Sequence, residues 1–179
     1  MKLKLTAPSV LFALALLVLP AVGHAIVVEY ATVVLGGGVY RYEYTFHNDG
    51  GTPLQLVDLL FDPALYEEGS LTDVSAPSVA AAWSTAFLGS APAVPALFDV
   101  LATAGGVPAG GSEGGFAVQF LWLGPGLPGA QGFQVYDPLT LELLQAGLTS
   151  AVPELSTVPM TLLGLLAVAA TAKRRLGSP

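Results

Sequence analysis

Cysteine is absent from the 179 residues, and histidine occurs only twice. Without cysteine the chain has no disulfide, no thiolate nucleophile and no sulfur ligand for zinc or an iron–sulfur cluster. His47 is the one histidine beyond residue 25, which is too few for a metal site built from nitrogen ligands. We therefore expect no metal and no cofactor.

Basic side chains are also scarce, and most of them lie near the ends. Five of the six Lys and Arg residues are in the terminal segments, so residues 26–150 hold twelve carboxylates against Arg41 alone, a net charge of −11. Nucleic acids and anionic lipid surfaces are bound largely through Lys and Arg contacts to phosphate. The sequence thus predicts no nucleic-acid partner for this central region, which is long enough for one domain.

Long apolar runs stand at both ends and raise the mean hydropathy to +0.67. At the N-terminus, Lys2 and Lys4 precede an apolar run over residues 7–22, and Gly23 and Ala25 fill the −3 and −1 positions of a cleavage site. This is the layout of a secretory signal peptide. We predict that residues 1–25 direct the protein to the general secretory machinery and that signal peptidase removes them by cleavage after Ala25. The alternatives are cleavage after Ala21 and retention of the segment as an uncleaved anchor.

The C-terminal apolar run covers residues 158–172, about 22 Å of helix at 1.5 Å per residue. Extension back to Leu155 gives about 27 Å, the low end of what spans a bilayer. By the positive-inside rule, the basic residues 173–175 would keep the C-terminus in the cytoplasm and the domain outside. A core helix, the alternative, should have a polar face, but the run offers only Thr161 and Thr171. We predict a single transmembrane helix over residues 158–172.

The stretch "VPELST", the apolar helix and "KRR" together resemble the PEP-CTERM sorting signal, over residues 152–175. The motif, usually Val-Pro-Glu-Pro-Ser-Thr, is matched at Val152, Pro153, Glu154, Ser156 and Thr157, and Leu155 replaces the second proline. The short basic tail of the family is matched at Lys173, Arg174 and Arg175. We therefore assign residues 151–179 to a sorting signal, and the resemblance does not extend to the domain before it.

The resemblance implies that the protein is itself a substrate. Proteins with this signal are exported by Gram-negative bacteria that make extracellular polysaccharide, and their tails are recognised by an exosortase, a multi-pass membrane enzyme with a cysteine nucleophile that cuts near the motif. It implies an intermediate anchored in the inner membrane and a final location in the cell envelope, at the outer surface or outside the cell. It also implies an association with extracellular polysaccharide or biofilm.

Residues 26–150 show short strands separated by turn residues. In "VYRYEYTF" the aromatic residues Tyr40, Tyr42, Tyr44 and Phe46 alternate with polar ones, and "HNDGGTP" follows before "LQLVDLLF", so residues 39–61 are predicted to form a hairpin. Further strands are predicted at residues 26–35, 96–103, 115–123, 132–137 and 140–147. Residues 63–92 are read as a loop with a short helical turn capped by Ser78, or as a strand edge. The pattern predicts an all-β fold, an antiparallel β-sandwich of roughly seven to nine short strands.

No catalytic set follows from spacing in this domain. We interpret His47 as a turn histidine facing solvent, and calcium could be sought at Asp49 or at Glu67, Glu68 and Asp73. Tyr40, Trp83 and Trp122 could stack on sugars, although alternating aromatic residues are more often core. We predict a non-enzymatic exported protein of the envelope or extracellular matrix; the alternatives are a secreted glycan hydrolase and a sugar- or calcium-binding module.

Overall fold

The computed structural model describes residues 26–89 and 94–152, which form ten β-strands, one short helix and a 3-10 turn. The strands are β1 Ile26–Gly36, β2 Val39–Asn48, β3 Leu56–Phe61, β4 Thr72–Asp73, β5 Trp83–Leu88, β6 Ala96–Ala102, β7 Gly111–Leu121, β8 Gly132–Tyr136, β9 Leu143–Leu148 and β10 Ser150–Ala151; the helix α1 is Pro77–Ala82 and the 3-10 turn Glu68–Ser70. The predicted signal peptide, transmembrane helix and basic tail lie outside the described residues. Within the described ranges, no helix is both long and apolar enough to cross a bilayer.

The strands form two five-stranded sheets that pack on a shared core, so the predicted β-sandwich is confirmed. The first sheet has the order β10-β1-β2-β7-β4 and the second the order β5-β6-β3-β8-β9. Neighbouring strands are antiparallel except β10, which runs parallel to β1. Eight strands have five residues or more, within the predicted range, and β4 and β10 have two residues each.

The predicted hairpin over residues 39–61 is wrong. β2 pairs with β1 and β7 in the first sheet, whereas β3 pairs with β6 and β8 in the second, so residues 49–55 cross between the sheets. The hairpin that does form joins β1 to β2 through Gly36, Gly37 and Gly38, all at positive φ, a conformation that glycine adopts without steric cost. Alternation predicts which face of a strand is buried but does not identify its neighbours.

The region with the least distinct sequence pattern, residues 63–92, contains both a helical turn and strands. α1 confirms the short helical turn, but its N-cap is Ala76 rather than Ser78, and Pro77 occupies the first turn. Trp83–Leu88, predicted as loop, is β5, which pairs with β6 along its whole length. Its inward residues Trp83 and Phe87 join the core, and this burial favours the extended conformation.

Aromatic rings from both sheets fill the core. Phe46 stacks on Phe116 across the first sheet with ring centroids 4.4 Å apart, and Trp83 of the second sheet meets Phe116 edge-on at 5.2 Å. Buried phenols find polar partners: the Tyr42 hydroxyl donates to the carbonyl of Gly129 at 2.8 Å and lies 3.1 Å from the hydroxyl of Tyr66. Burial raises the pKa of Tyr42 above its usual range, which keeps this phenol neutral. The core therefore joins the sheets by ring packing and a small polar network.

Candidate functional site

Most of the residues predicted to carry sorting and processing lie outside the described part of the chain. They are Gly23, Ala25, Pro153, Glu154, Ser156, Thr157, Lys173, Arg174 and Arg175. Val152, the first residue of the motif, is described and is 42% exposed. The structure therefore shows the two positions at which the domain meets the predicted signals: Ile26 and Val152.

Ile26, the first residue after the predicted signal-peptidase site, is also the first residue of β1. The backbone amide of Ile26 donates to Oε1 of Gln145 at 2.9 Å, and Nε2 of Gln145 donates to the carbonyl of Ile26 at 2.8 Å. This pair of hydrogen bonds ties the start of β1 to β9 of the other sheet.

The last described residues are held against β1. β10 runs beside β1, and the amide of Val152 donates to the carbonyl of Tyr30 at 2.9 Å. Just before β10, the backbone amide of the buried Thr149 donates to the carbonyl of Gln131 at 2.8 Å. The backbone amide of Gln131 in turn donates to the hydroxyl of Thr149 at 2.9 Å. The sandwich is therefore hydrogen-bonded up to the residue at which the sorting motif begins.

A pair of aspartates that the sequence analysis did not single out lies on the outer face of the second sheet. Asp58 of β3 and Asp99 of β6 are directly opposite each other, and Asp58 is 8% exposed. Oδ1 of Asp58 is buried and has no hydrogen-bond partner among the described residues. Burial, and then the neighbouring Asp99 carboxylate, raise the pKa of Asp58 from 3.8 to about 6. The sequence offers one signal for this pair, because each aspartate stands alone within an apolar stretch, "LVDLL" for Asp58 and "LFDV" for Asp99.

The aspartate pair stands among leucines, and this outer face differs from that of the first sheet. The register of the second sheet places on it the leucines 56, 60, 88, 97, 101 and 148, which we call the leucine face. The outer face of the first sheet instead carries Glu29, Arg41, Glu43, Thr45 and His47. Leu88, Leu101 and Leu148 of this face are exposed, whereas Leu56 is buried. The exposed leucines offer apolar area for contact with other molecules.

We predict that the aspartate pair makes stability depend on pH. Because the folded-state pKa of Asp58 is raised, its folded form binds more protons, and the free energy of unfolding should fall as the pH rises from about 4 to about 6. After allowance for solvent screening we expect a loss of about 2 kcal/mol. Asp58→Asn should remove this loss, so the variant should match wild type near pH 4 and exceed it near pH 7 in urea denaturation.

The matched control for this prediction is Glu142→Gln, at an exposed position of the β8–β9 connection. This substitution also removes one negative charge, but it lies away from the pair, so the pH dependence of stability should stay that of wild type. A wild-type pH dependence in Asp58→Asn would show that the aspartate pair is not its source.

The acidic groups considered for calcium are not brought together as a site. Both carboxylate oxygens of Asp73 have partners: the amide of Ser75 at 2.8 Å and the hydroxyl of Thr85 at 2.5 Å. In the 26–89 and 94–152 ranges, no three Asp, Glu or His side chains cluster in a way that could hold a metal ion. The Glu67, Glu68 and Asp73 group therefore gains no structural support.

His47 and the aromatic candidates have structural roles in the described domain. His47 is a residue of β2 rather than of a turn, and its Nε2 lies 3.0 Å from Oε2 of Glu29 on β1. Trp83 is 5% exposed in the core, Trp122 packs edge-on against Tyr66 at 5.1 Å, and Tyr40 stacks on Phe120. These rings are used in packing, as alternating aromatic residues usually are.

Three surface clefts were compared as possible binding sites. One, at the start of β1, has Asp137 as its only acidic lining residue; another contains Arg41 and Glu43; the third lies beside β10 and has no charged lining residue. None of the three is lined by two carboxylates. Asp58 and Asp99 lie on a sheet face outside all three, so the aspartate pair is not set in any of these clefts.

No family model matches the chain, and no curated protein does. Among solved structures, a GH20 exo-β-N-acetylglucosaminidase from Vibrio harveyi matches at 12% identity and a TM-score of 0.39, over 72% of this chain and 18% of that enzyme. The chitin-binding domain of Chi18aC from Streptomyces coelicolor matches at 19% identity and a TM-score of 0.39, over 62% of this chain and 90% of that domain. A type I cohesin of ScaB from Pseudobacteroides cellulosolvens matches at 10% identity and a TM-score of 0.35, over 72% of this chain and 94% of the cohesin. TM-scores this low do not establish a shared fold, and these identities give no functional information.

Proposed function

We propose that this chain is a non-enzymatic exported protein, sorted and processed by an exosortase and delivered to the cell envelope or extracellular matrix. In this proposal the helix over residues 158–172 anchors an inner-membrane intermediate, and residues 173–175 stop its transfer. Cleavage near the motif releases the sandwich, which then associates with extracellular polysaccharide. The exosortase, the secretory machinery and signal peptidase are its partners on this route.

One observation supports the proposal: the residues that adjoin the two predicted signals belong to the sandwich. Ile26, the residue after the predicted cleavage, is hydrogen-bonded to Gln145, and Val152, the first residue of the predicted motif, is hydrogen-bonded to Tyr30. Removal of either predicted signal would therefore leave the ten described strands complete. The leucine face is a further support, because it offers an apolar surface for association after export.

The test is the mass of the exported protein in host strains with and without the exosortase. We expect a product that lacks Lys173, Arg174 and Arg175 only where the exosortase is present. Substitution of both Pro153 and Glu154 by Ala should abolish this processing. Because Leu155 replaces the proline of the usual motif, Leu155→Pro should be processed at least as completely as wild type.

The control substitution is Ser150→Ala, in β10 just before the motif, which should leave processing unchanged. An intact basic tail in both strains would refute the processing step. Correct processing of the variant that lacks Pro153 and Glu154 would refute the assigned recognition point.

The alternative of a glycan hydrolase has one structural candidate, the Asp58 and Asp99 pair, because glycosidases use two carboxylates. The pair lies on a sheet face rather than in a cleft, whereas substrate sites are concave. Purified protein that hydrolysed the polysaccharide of its host, with loss of turnover in Asp99→Asn, would favour this alternative. Heat of binding on titration with the same polysaccharide or calcium, without turnover, would favour a binding module.

A further inference from the structure

Exposed apolar side chains lie near Val152, the last residue that the structure describes. Val34 and Leu35, before the β1–β2 turn, are 62% and 45% exposed, and Leu123 and Leu127, between β7 and β8, are 54% and 71% exposed. We call these four residues, together with Val152, the exit patch. It contains no charged residue.

Hydrogen bonds and a shared cleft bring the members of the exit patch to one end of the sandwich. The amide of Trp122 donates to the carbonyl of Gly38 at 3.0 Å, which puts the start of the β7–β8 loop beside the β1–β2 turn. Val34, Leu127 and Val152 line a single cleft next to β10, whose other lining residues are also uncharged. Val34, Leu127 and Val152 therefore lie close together on one uncharged surface beside β10.

The length of the following segment sets how far the exit patch can lie from a membrane. Only five residues, 153–157, separate Val152 from the apolar run that begins at Val158. Five extended residues reach about 18 Å at most, whereas β1, with 11 residues, is itself about 36 Å long. With residues 158–172 in the bilayer, the exit end must stay close to the headgroups, which occupy about 5–8 Å on each side.

Charge does not explain an attraction to lipid here, because residues 26–150 carry a net charge of −11. Anionic headgroups would repel such a domain. Transfer of apolar side chains at the exit end out of water lowers the free energy, whatever the charge of the headgroups. A contact with the membrane should therefore be made by the exit patch, and added salt, which screens the charge repulsion, should not weaken it.

We propose that the exit patch lies in the headgroup layer of the membrane before processing and holds the sorting motif at the membrane surface. The occupant of this apolar surface is the lipid bilayer. The inference rests on the proposed membrane anchoring and adds a second, independent contact between the domain and the bilayer. It assigns the exit end, and not the leucine face or the opposite end, to the membrane.

The absence of cysteine allows a site-specific test with the full chain. Leu127→Cys or Leu35→Cys, labelled with an environment-sensitive fluorophore, would be reconstituted into phosphatidylethanolamine–phosphatidylglycerol vesicles. We expect blue-shifted emission that is quenched by spin-labelled headgroups, and added salt should not reverse this shift. The matched control is Leu139→Cys, at a 92% exposed leucine in the connection between β8 and β9 at the opposite end, where emission should remain that of a water-exposed dye.

Flotation of the vesicles separates this inference from the proposed anchoring. If the chain fails to float with the vesicles, the anchor itself is refuted. If it floats, but the dyes at positions 35 and 127 emit as in water, the exit patch does not touch the bilayer and this inference alone is overturned. Unchanged circular dichroism of each labelled variant would exclude misfolding as the cause, and the two positions provide independent readings.

Discussion

We expect Phe116→Ala to lower the free energy of unfolding by about 4 kcal/mol, the largest effect predicted for a single substitution here. Phe116 is fully buried in β7, stacks on Phe46 with centroids 4.4 Å apart and meets Trp83 edge-on at 5.2 Å. Truncation removes these contacts and leaves a cavity between the sheets that the strands can only partly close. Urea denaturation followed by tryptophan fluorescence measures the loss, because Trp83 reports directly on this contact.

The control for this prediction is Leu139→Ala, which also shortens an apolar side chain but at a position that is 92% exposed. Its effect should stay within about 0.5 kcal/mol. A loss below about 2 kcal/mol for Phe116→Ala would show that the aromatic core is not close-packed as described.

Asn48→Ala should cost about 3 kcal/mol, because this fully buried side chain makes three hydrogen bonds. Its Nδ2 donates to the carbonyls of Thr52 and Val107, both at 2.8 Å, and its Oδ1 accepts from the amide of Gly50 at 2.9 Å. It thereby joins the end of β2 to the crossing segment 49–55 and to the loop before β7. Alanine would leave buried backbone groups short of partners, and urea denaturation measures the consequence.

Two comparison variants separate these hydrogen bonds from simple loss of volume. Asn48→Asp keeps the shape and the acceptor for Gly50 but loses both donations and buries a charge, so it should be at least as destabilising near neutral pH. Thr52→Ala keeps the backbone carbonyl that Asn48 uses and should change stability by less than about 0.5 kcal/mol. Equal stability of Asn48→Ala and wild type would contradict the bonding described.

Within the domain, the strand faces were predictable but their neighbours were not. The alternation at residues 40–46 predicted the burial of Tyr42, Tyr44 and Phe46, which the structure confirms. The same stretch was predicted to form a hairpin with residues 54–61, but residues 56–61 form β3 of the other sheet. Alternation is a local property, whereas strand pairing depends on what else competes for each strand edge.

The candidate sites divide in the same way. The predicted sorting motif and signal peptide are linear patterns, so their residues could be named from order and spacing alone. Asp58 and Asp99 are far apart in the chain and become neighbours only through the pairing of β3 with β6. The exit patch likewise joins residues near positions 35, 125 and 152, which no spacing rule relates.

The sequence by itself therefore determined the proposed route of this protein, its lack of cysteine chemistry, the acidity of its central domain and its all-β class. Each of these follows from composition, local periodicity or a short linear motif. Only the tertiary structure decided which strands meet, that two carboxylates lie side by side, and that exposed apolar side chains of β1 and of the β7–β8 connection lie near Val152. Those features arise when distant segments pack to bury the aromatic core, and local sequence does not encode their register.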